Sequence, residues 1–66
     1  MKELIPFSEL KLGHRFRAPR RRDKKKSLYG VKVKQFRDEA GELRNVIEVG
    51  TGYFWFFSPD IPVEVL

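Results

Sequence analysis

Residues 20–26 read Arg-Arg-Arg-Asp-Lys-Lys-Lys, so six of these seven residues are cations. An unpaired charge that leaves water costs several kcal/mol, so a run of this kind cannot enter a hydrophobic core. We therefore expect an exposed basic loop over residues 19–27. Such a loop attracts phosphate groups and acidic protein surfaces alike, and the chemistry it favours is binding by charge.

The charge of the chain is segregated along its length. The 66 residues carry a net charge of +5. Residues 14–34 contain ten Lys or Arg against one Asp, whereas residues 35–66 contain two Arg against six acids. If the fold keeps the basic segment together, one face or one end of the domain is positive. The other interpretation is that these charges only keep a loop solvated.

The residues that catalysis would need are scarce. His14 is the only histidine and the chain has no cysteine, so we expect neither a zinc site nor a disulfide. The same histidine is the only available base for a nucleophilic serine, and the carboxylates are scattered over turns and outer strand positions. We predict that the protein is not an enzyme and uses no cofactor, metal or small-molecule substrate.

Nucleic-acid binding needs cations for the phosphates and often aromatic rings for unpaired bases. The predicted phosphate-binding residues are Arg15, Arg17, Arg20, Arg21, Arg22, Lys24, Lys25, Lys26, Lys32 and Lys34. The predicted stacking residues are Tyr29, Phe36 and Tyr53. The sequence contains no recognition helix and no RNA-binding sheet motif, so we expect little sequence specificity.

Short alternating segments separated by turn residues run through the chain. They predict strands near residues 15–17, 28–37, 43–49, 53–57 and 62–66. A single helical or 3₁₀ turn is expected after Pro6, and a bulge or bend at Gly30. Five short strands without a long helix indicate one all-β domain over residues 1–66, either a small five-stranded barrel or a strongly bent antiparallel sheet.

The period-2 alternation of the strands also predicts which side chains are buried. The predicted core consists of Phe16, Val31, Val33, Ile47, Val49, Trp55 and Val63. Phe7, Leu10 and Leu12 are expected to close one end of it, and Val46 is expected on the outer face. For the aromatic run 53–57 the alternation separates residues 53, 55 and 57 from residues 54 and 56, and leaves open which set is buried.

One resemblance comes from the two ends of the chain. The frame Phe7-x-x-Leu10-x-x-Gly13-x-x-Phe16, followed by Phe57-x-Pro59-Asp60-x-x-Val63-x-Val65, resembles short uncharacterised proteins of phages and bacteria. Those chains are similar in length and look like SH3-like barrels. The resemblance implies this fold and a phage origin. The matched residues are structural and carry no functional site across, and the basic loop departs from the shorter connection of such chains.

Two functions from different classes fit these features. The first is a module that holds the phosphates of DNA or RNA through residues 15–34. The second is a protein-interaction module, such as a phage-encoded inhibitor, that binds an acidic surface of a host protein. The sequence shows neither a signal-peptide pattern nor an apolar run of the roughly 20 residues of a membrane span. We expect a cytoplasmic location, including the nucleoid, and no membrane partner.

Overall fold

The computed structural model describes residues 3–19 and 27–66, and within them the chain forms one antiparallel sheet of six strands. The strands are β1 (Leu4–Pro6), β2 (Arg15–Pro19), β3 (Ser27–Arg37), β4 (Leu43–Glu48), β5 (Phe54–Trp55) and β6 (Pro62–Val65). Their order across the sheet is β1-β6-β2-β3-β4-β5, and the sheet does not close into a barrel. The all-β prediction is confirmed, in the form of an open sheet.

The sixth strand, β1, was not predicted. Leu4–Pro6 pairs antiparallel with Pro62–Val65 and forms one edge of the sheet. The predicted short helical turn directly follows it as a 3₁₀ turn over Phe7–Glu9. The amide of Phe7 donates to the carbonyl of Ile61 over 2.8 Å, so this segment is fastened to the chain just before β6.

The buried core lies on one side of the sheet. It consists of Phe7, Leu10, Phe16, Ala18, Leu28, Val46 and Val63. The rings of Phe7, Phe16 and Phe57 form a triangle with centroid separations of 5.4–5.7 Å, the range of favourable aromatic contacts. The 3₁₀ turn and the segment after β5 therefore cover the same side of the sheet. Leu12, expected to help close the core, is instead 62% exposed.

The register of β3 explains why the predicted core was only partly right. Phe16 and Val63 are fully buried as expected, but Gly30 is the β3 residue directly opposite Phe16. A Cβ atom at this glycine would lie 2.8 Å from Cγ1 of Val46 and 3.2 Å from Cζ of Phe16. The core thus presses against bare backbone at Gly30, and the neighbouring β-branched residues of β3 lie on the opposite side of the sheet.

The corrections follow from that register. Val31, Val33 and Ile47 are only partly buried, and Val49 is 48% exposed. Val46 was expected on the outer face but is fully buried. It lies directly opposite Lys32, and this register places the Val46 side chain on the core side of the sheet. Trp55 lies opposite Val46 but at the edge strand β5, where it keeps 38% of its surface exposed.

A tight turn joins β3 to β4, and the irregularity of this hairpin does not lie at Gly30, where a bulge was expected. The amide of Gly41 donates to the carbonyl of Asp38 over 2.9 Å in the β3–β4 turn, where Gly41 takes a positive φ of 80° that glycine adopts without strain. The register of the β3–β4 ladder shifts between Lys32 and Phe36 instead of at Gly30. No helix among the described residues is long and apolar enough to cross a membrane.

Candidate nucleic-acid interface

The side of the sheet opposite the core carries a row of four residues from four adjacent strands. Arg15 of β2 lies opposite Val31 of β3, Val31 lies opposite Ile47 of β4, and Ile47 lies opposite Phe54 of β5. Directly opposed residues of an antiparallel ladder place their side chains on the same face. A cation therefore heads a row of three apolar side chains, of which Phe54 is 45% exposed.

A second pair on the same face lies two residues further along β2 and β3. Arg17 is directly opposite Tyr29, which keeps 48% of its surface exposed. Because alternate residues of a strand share a face, this pair adjoins the first row. We call the surface made by Arg15, Arg17, Tyr29, Val31, Ile47 and Phe54 the outer face.

Arg17 is partly neutralised within the fold. Its Nε lies 3.1 Å from Oε2 of Glu64, the residue opposite it on β6, although the two groups lack the orientation of a hydrogen bond. The Arg17 side chain is still 40% exposed. Arg15 is exposed and forms no ion pair within the described part of the chain. Arg15 is thus the more available cation of the outer face.

Phe36, one of the predicted stacking residues, contacts the outer face at its far end. Its ring packs edge-on against Phe54, with centroids 5.0 Å apart and ring planes at 82°. Phe36 lies beyond the register shift of the β3–β4 ladder, where it pairs with Arg44. Phe36 is half-buried there and restrains the Phe54 ring on one side.

The basic run is attached at one end of the β2–β3 hairpin. Pro19 and Ser27 are direct partners in the ladder, so residues 20–26 connect the two paired strand ends. Six of the predicted phosphate-binding residues lie outside the described ranges: Arg20, Arg21, Arg22, Lys24, Lys25 and Lys26. Of the loop predicted over residues 19–27, only the two end residues are described. A segment with six cations therefore directly links β2, which carries Arg15 and Arg17, to β3, which carries Tyr29.

Lys32 has a structural role in the fold. Its Nζ donates to the carbonyl of Phe7 over 2.9 Å and to that of Leu10 over 2.7 Å. The same ammonium lies 4.6 Å from the centroid of the Phe7 ring, within cation–π range. The structure thus directs this cation to the core side, away from Arg15 and Arg17. Lys34, two residues on, is exposed within the irregular part of the ladder.

Tyr53 lies outside the rows of the outer face. It follows the Gly50–Gly52 turn and is 66% exposed, and its carbonyl accepts the amide of Glu48 over 2.8 Å. Next to it, Nε1 of Trp55 donates to Oε1 of Glu48 over 2.8 Å. These aromatic residues form the β5 edge of the sheet.

His14 and the acidic side chains are the potential metal ligands within the part of the chain that the structure describes. No group of three or more potential metal ligands occurs there. His14 precedes β2, where its amide donates to the carbonyl of Lys11 over 3.1 Å and its carbonyl accepts the amide of Lys32 over 3.2 Å. It is an exposed turn residue whose backbone links the N-terminal segment to β3.

Sequence reasoning missed Phe54, Val31 and Ile47 as surface residues. The sequence of β2 does predict which side of that strand is exposed, because Arg15 and Arg17 flank the buried Phe16. To predict which β3 residues share the face of Arg15 and Arg17, the register of the β2–β3 hairpin must be known, and the long charged connection does not reveal it. Without the register, apolar residues such as Val31 are naturally assigned to the core.

No protein-family model, curated protein or solved structure matches this chain. The resemblance to short phage and bacterial proteins therefore stays a prediction.

Proposed function

We propose that this protein is a non-catalytic module that binds nucleic acid phosphates through its basic segment, with little sequence specificity. The observation that carries the proposal is the connection of the six-cation run to the strands β2 and β3, which present Arg15 and Arg17 on the exposed outer face. Lys34 adds a further exposed cation on β3. Phosphate contacts of this kind position a protein on nucleic acid without reading its bases.

The distribution of charge along the chain supports nucleic acid as the partner over an uncharged ligand. Residues 14–34 hold ten cations and one acid, while the acids of the chain concentrate after residue 34. Each phosphate neutralised by Lys or Arg releases condensed counterions, which favours binding most at low salt. Lys32 is not needed in this proposal, because its ammonium already serves two backbone carbonyls.

Fluorescence anisotropy with labelled DNA and RNA at about 50 mM salt tests the proposal. Replacing Arg20, Arg21, Arg22, Lys24, Lys25 and Lys26 by Gln should remove most of the binding. Arg15→Gln should weaken it several-fold, whereas Lys11→Gln, which neutralises one exposed cation outside the basic segment, should change it little. Binding that survives the six-fold replacement, or no binding by the intact protein, would count against the proposal.

A second candidate function is favoured by the exposed β5 edge. Tyr53, Phe54, Trp55 and Phe56 are 66%, 45%, 38% and 43% exposed, and aromatic residues are enriched in protein–protein interfaces. Because residues 14–34 of the same chain are strongly basic, the partner would be an acidic protein surface, as for an inhibitor encoded by a phage. Capture from a cell lysate with and without nuclease separates the two functions, because an acidic protein partner persists after nuclease treatment and a nucleic-acid tether does not.

A further inference from the structure

We infer that the ligand of the outer face is single-stranded nucleic acid, whose unpaired bases stack on Tyr29 and Phe54 while Arg15 and Arg17 contact its phosphates. The inference rests on the proposed function and names the class of nucleic acid. It depends on the ladder registers, which place two exposed aromatic rings and two arginines on one face of four adjacent strands.

The two rings have the exposure that stacking needs. Tyr29 and Phe54 keep 48% and 45% of their surface exposed, and the face between them is lined by the apolar residues Val31 and Ile47. A base offers a flat apolar surface with polar edges, so it covers such rings and leaves its edges in water. Stacking on aromatic side chains tolerates any base, which agrees with the low sequence specificity expected from the sequence.

The Phe54 ring already packs against one neighbouring ring. Phe36 meets it edge-on at 5.0 Å and 82°. A ring that packing has fixed loses less conformational freedom when a base stacks on it than a freely rotating one. Phe36 therefore acts as a positioning residue for the stacking surface.

A duplex fits this face less well than a single strand. The row from Arg15 to Phe54 crosses three interstrand spacings, so its backbone alone is about 14 Å wide at ~4.8 Å per spacing. The major groove of B-DNA is about 12 Å wide. The four-stranded face cannot enter it, and the bases of a duplex are stacked on one another and out of reach of Tyr29 and Phe54.

The charge of the face argues against a second copy of the chain as its occupant. Because Arg15 and Arg17 both lie on this face, pairing two outer faces would enclose two arginines from each copy in one interface. Like charges brought together in an interface oppose association. A polymer that alternates anionic phosphates with flat bases complements both the cations and the rings.

The test compares oligo(dT) with a duplex containing the same number of phosphates, using the intact protein and two variants, Tyr29→Leu and Phe54→Leu. Leucine preserves apolar contact with the strand neighbours but removes the flat ring. We expect the intact protein to prefer oligo(dT), and each variant to lose at least about five-fold in affinity for it while its duplex affinity is unchanged.

Phe56→Leu is the matched control. Phe56 is 43% exposed, nearly the same as Phe54, but it lies beyond the end of β5 and outside the rows of the outer face. Its replacement should leave oligo(dT) affinity unchanged. Ring-proton NMR signals of Tyr29 and Phe54 in the intact protein give a second readout that needs no variant. They should move upfield on addition of oligo(dT) and stay in place with the duplex.

The outcomes separate this inference from the proposed function. Equal or tighter duplex binding, with unchanged ring signals and no effect of the leucine variants, overturns the single-strand inference and leaves phosphate binding standing. A loss of affinity in Phe56→Leu equal to that in Phe54→Leu also overturns it, because the rows would then have no special role. No binding of either nucleic acid at low salt overturns both and favours an acidic protein partner.

Discussion

Lys32 illustrates how the fold uses a charge internally. Its ammonium joins the carbonyls of Phe7 and Leu10, the two buried residues at either end of the 3₁₀ segment, to the central strand β3. The Phe7 carbonyl also accepts the amide of Leu10 over 3.1 Å, so the ammonium is its second donor. A lysine that looks like one more member of a basic segment is thus part of the closure of the core.

Lys32→Met should destabilise the protein by about 1–3 kcal/mol, because two partly buried acceptors lose their charged donor. Lys34→Met, at an exposed position of the same strand, is the control and should change the free energy of unfolding by less than about 0.5 kcal/mol. Urea unfolding of both variants measures the difference. Equal effects of the two replacements would show that the Lys32 contacts contribute nothing specific.

Gly30 is the residue at which the core touches bare backbone. Gly30→Ala should cost about 1–3 kcal/mol, since the added methyl group meets Val46 Cγ1 at 2.8 Å and Phe16 Cζ at 3.2 Å. Val46→Ala removes the closest of these atoms. The double variant should therefore be more stable than the sum of the two single changes predicts, by at least about 0.5 kcal/mol. Urea unfolding of all four proteins in the same stabilising osmolyte completes the cycle, and strict additivity would contradict the contact.

For single residues, the sequence predicts which face of the sheet a side chain lies on wherever polar and apolar residues strictly alternate. Arg15, Phe16 and Arg17 lie as predicted, because a charged residue on each side leaves Phe16 a single possible face. In β3 and β4 both faces contain apolar residues, so alternation alone cannot choose between Val46 and Ile47. The choice is made by packing, since Gly30 leaves room on the core side that Val46 fills.

Among the elements, the β3–β4 hairpin has the most complete local network. Oδ1 of Asp38 accepts the amides of Ala40 and Glu42, each over 2.9 Å, and Oδ2 accepts Nε of Arg44 over 3.0 Å. The amide of Glu42, followed by the side chain of Arg44, lowers the pKa of Asp38 below its ordinary value of 3.8. The carboxylate form of Asp38 therefore stabilises the turn.

The stability that Asp38 contributes should depend on pH in a defined direction. Because its pKa is lower in the folded state, the contribution is present above 3.8 and is lost as the pH falls through the lower folded value. The difference in melting temperature between the intact protein and Asp38→Asn should shrink as the pH is lowered from about 6 to about 2. Asp60→Asn, in the exposed turn before β6, controls for the loss of one carboxylate. A difference for Asp38→Asn that does not vary with pH would contradict this role.

The aromatic run shows why element boundaries escaped prediction. Strand β5 ends at Trp55, two residues before the predicted end at 57. The side chain of Asn45, which is buried, then takes the place of a ladder partner: its Nδ2 donates to the carbonyl of Phe57 over 3.0 Å and its Oδ1 accepts the amide of Phe57 over 2.8 Å. This lets the Phe57 ring turn into the core, an outcome that depends on a residue twelve positions earlier.

On the scale of the whole molecule, the two faces of the open sheet differ, since one is covered by the core and the other is partly exposed. One face is covered by the 3₁₀ turn and the segment after β5, and it holds the rings of Phe7, Phe16 and Phe57. The outer face keeps Tyr29 and Phe54 about half exposed beside Arg15 and Arg17. The sequence predicts the all-β class and the segregated charge, whereas the exposed aromatic face emerges only from the six-stranded order and its registers.

The salt dependence of nucleic-acid affinity tests the central claim most directly. If the basic segment neutralises about four to six phosphates, log affinity for a single strand should fall against log salt with a slope of roughly −3 to −4. Replacing all six cations of residues 20–26 by Gln should flatten that slope, with the melting temperature confirming that the variant remains folded. A slope near zero for the intact protein, or an unchanged slope in a folded six-fold variant, would contradict the account.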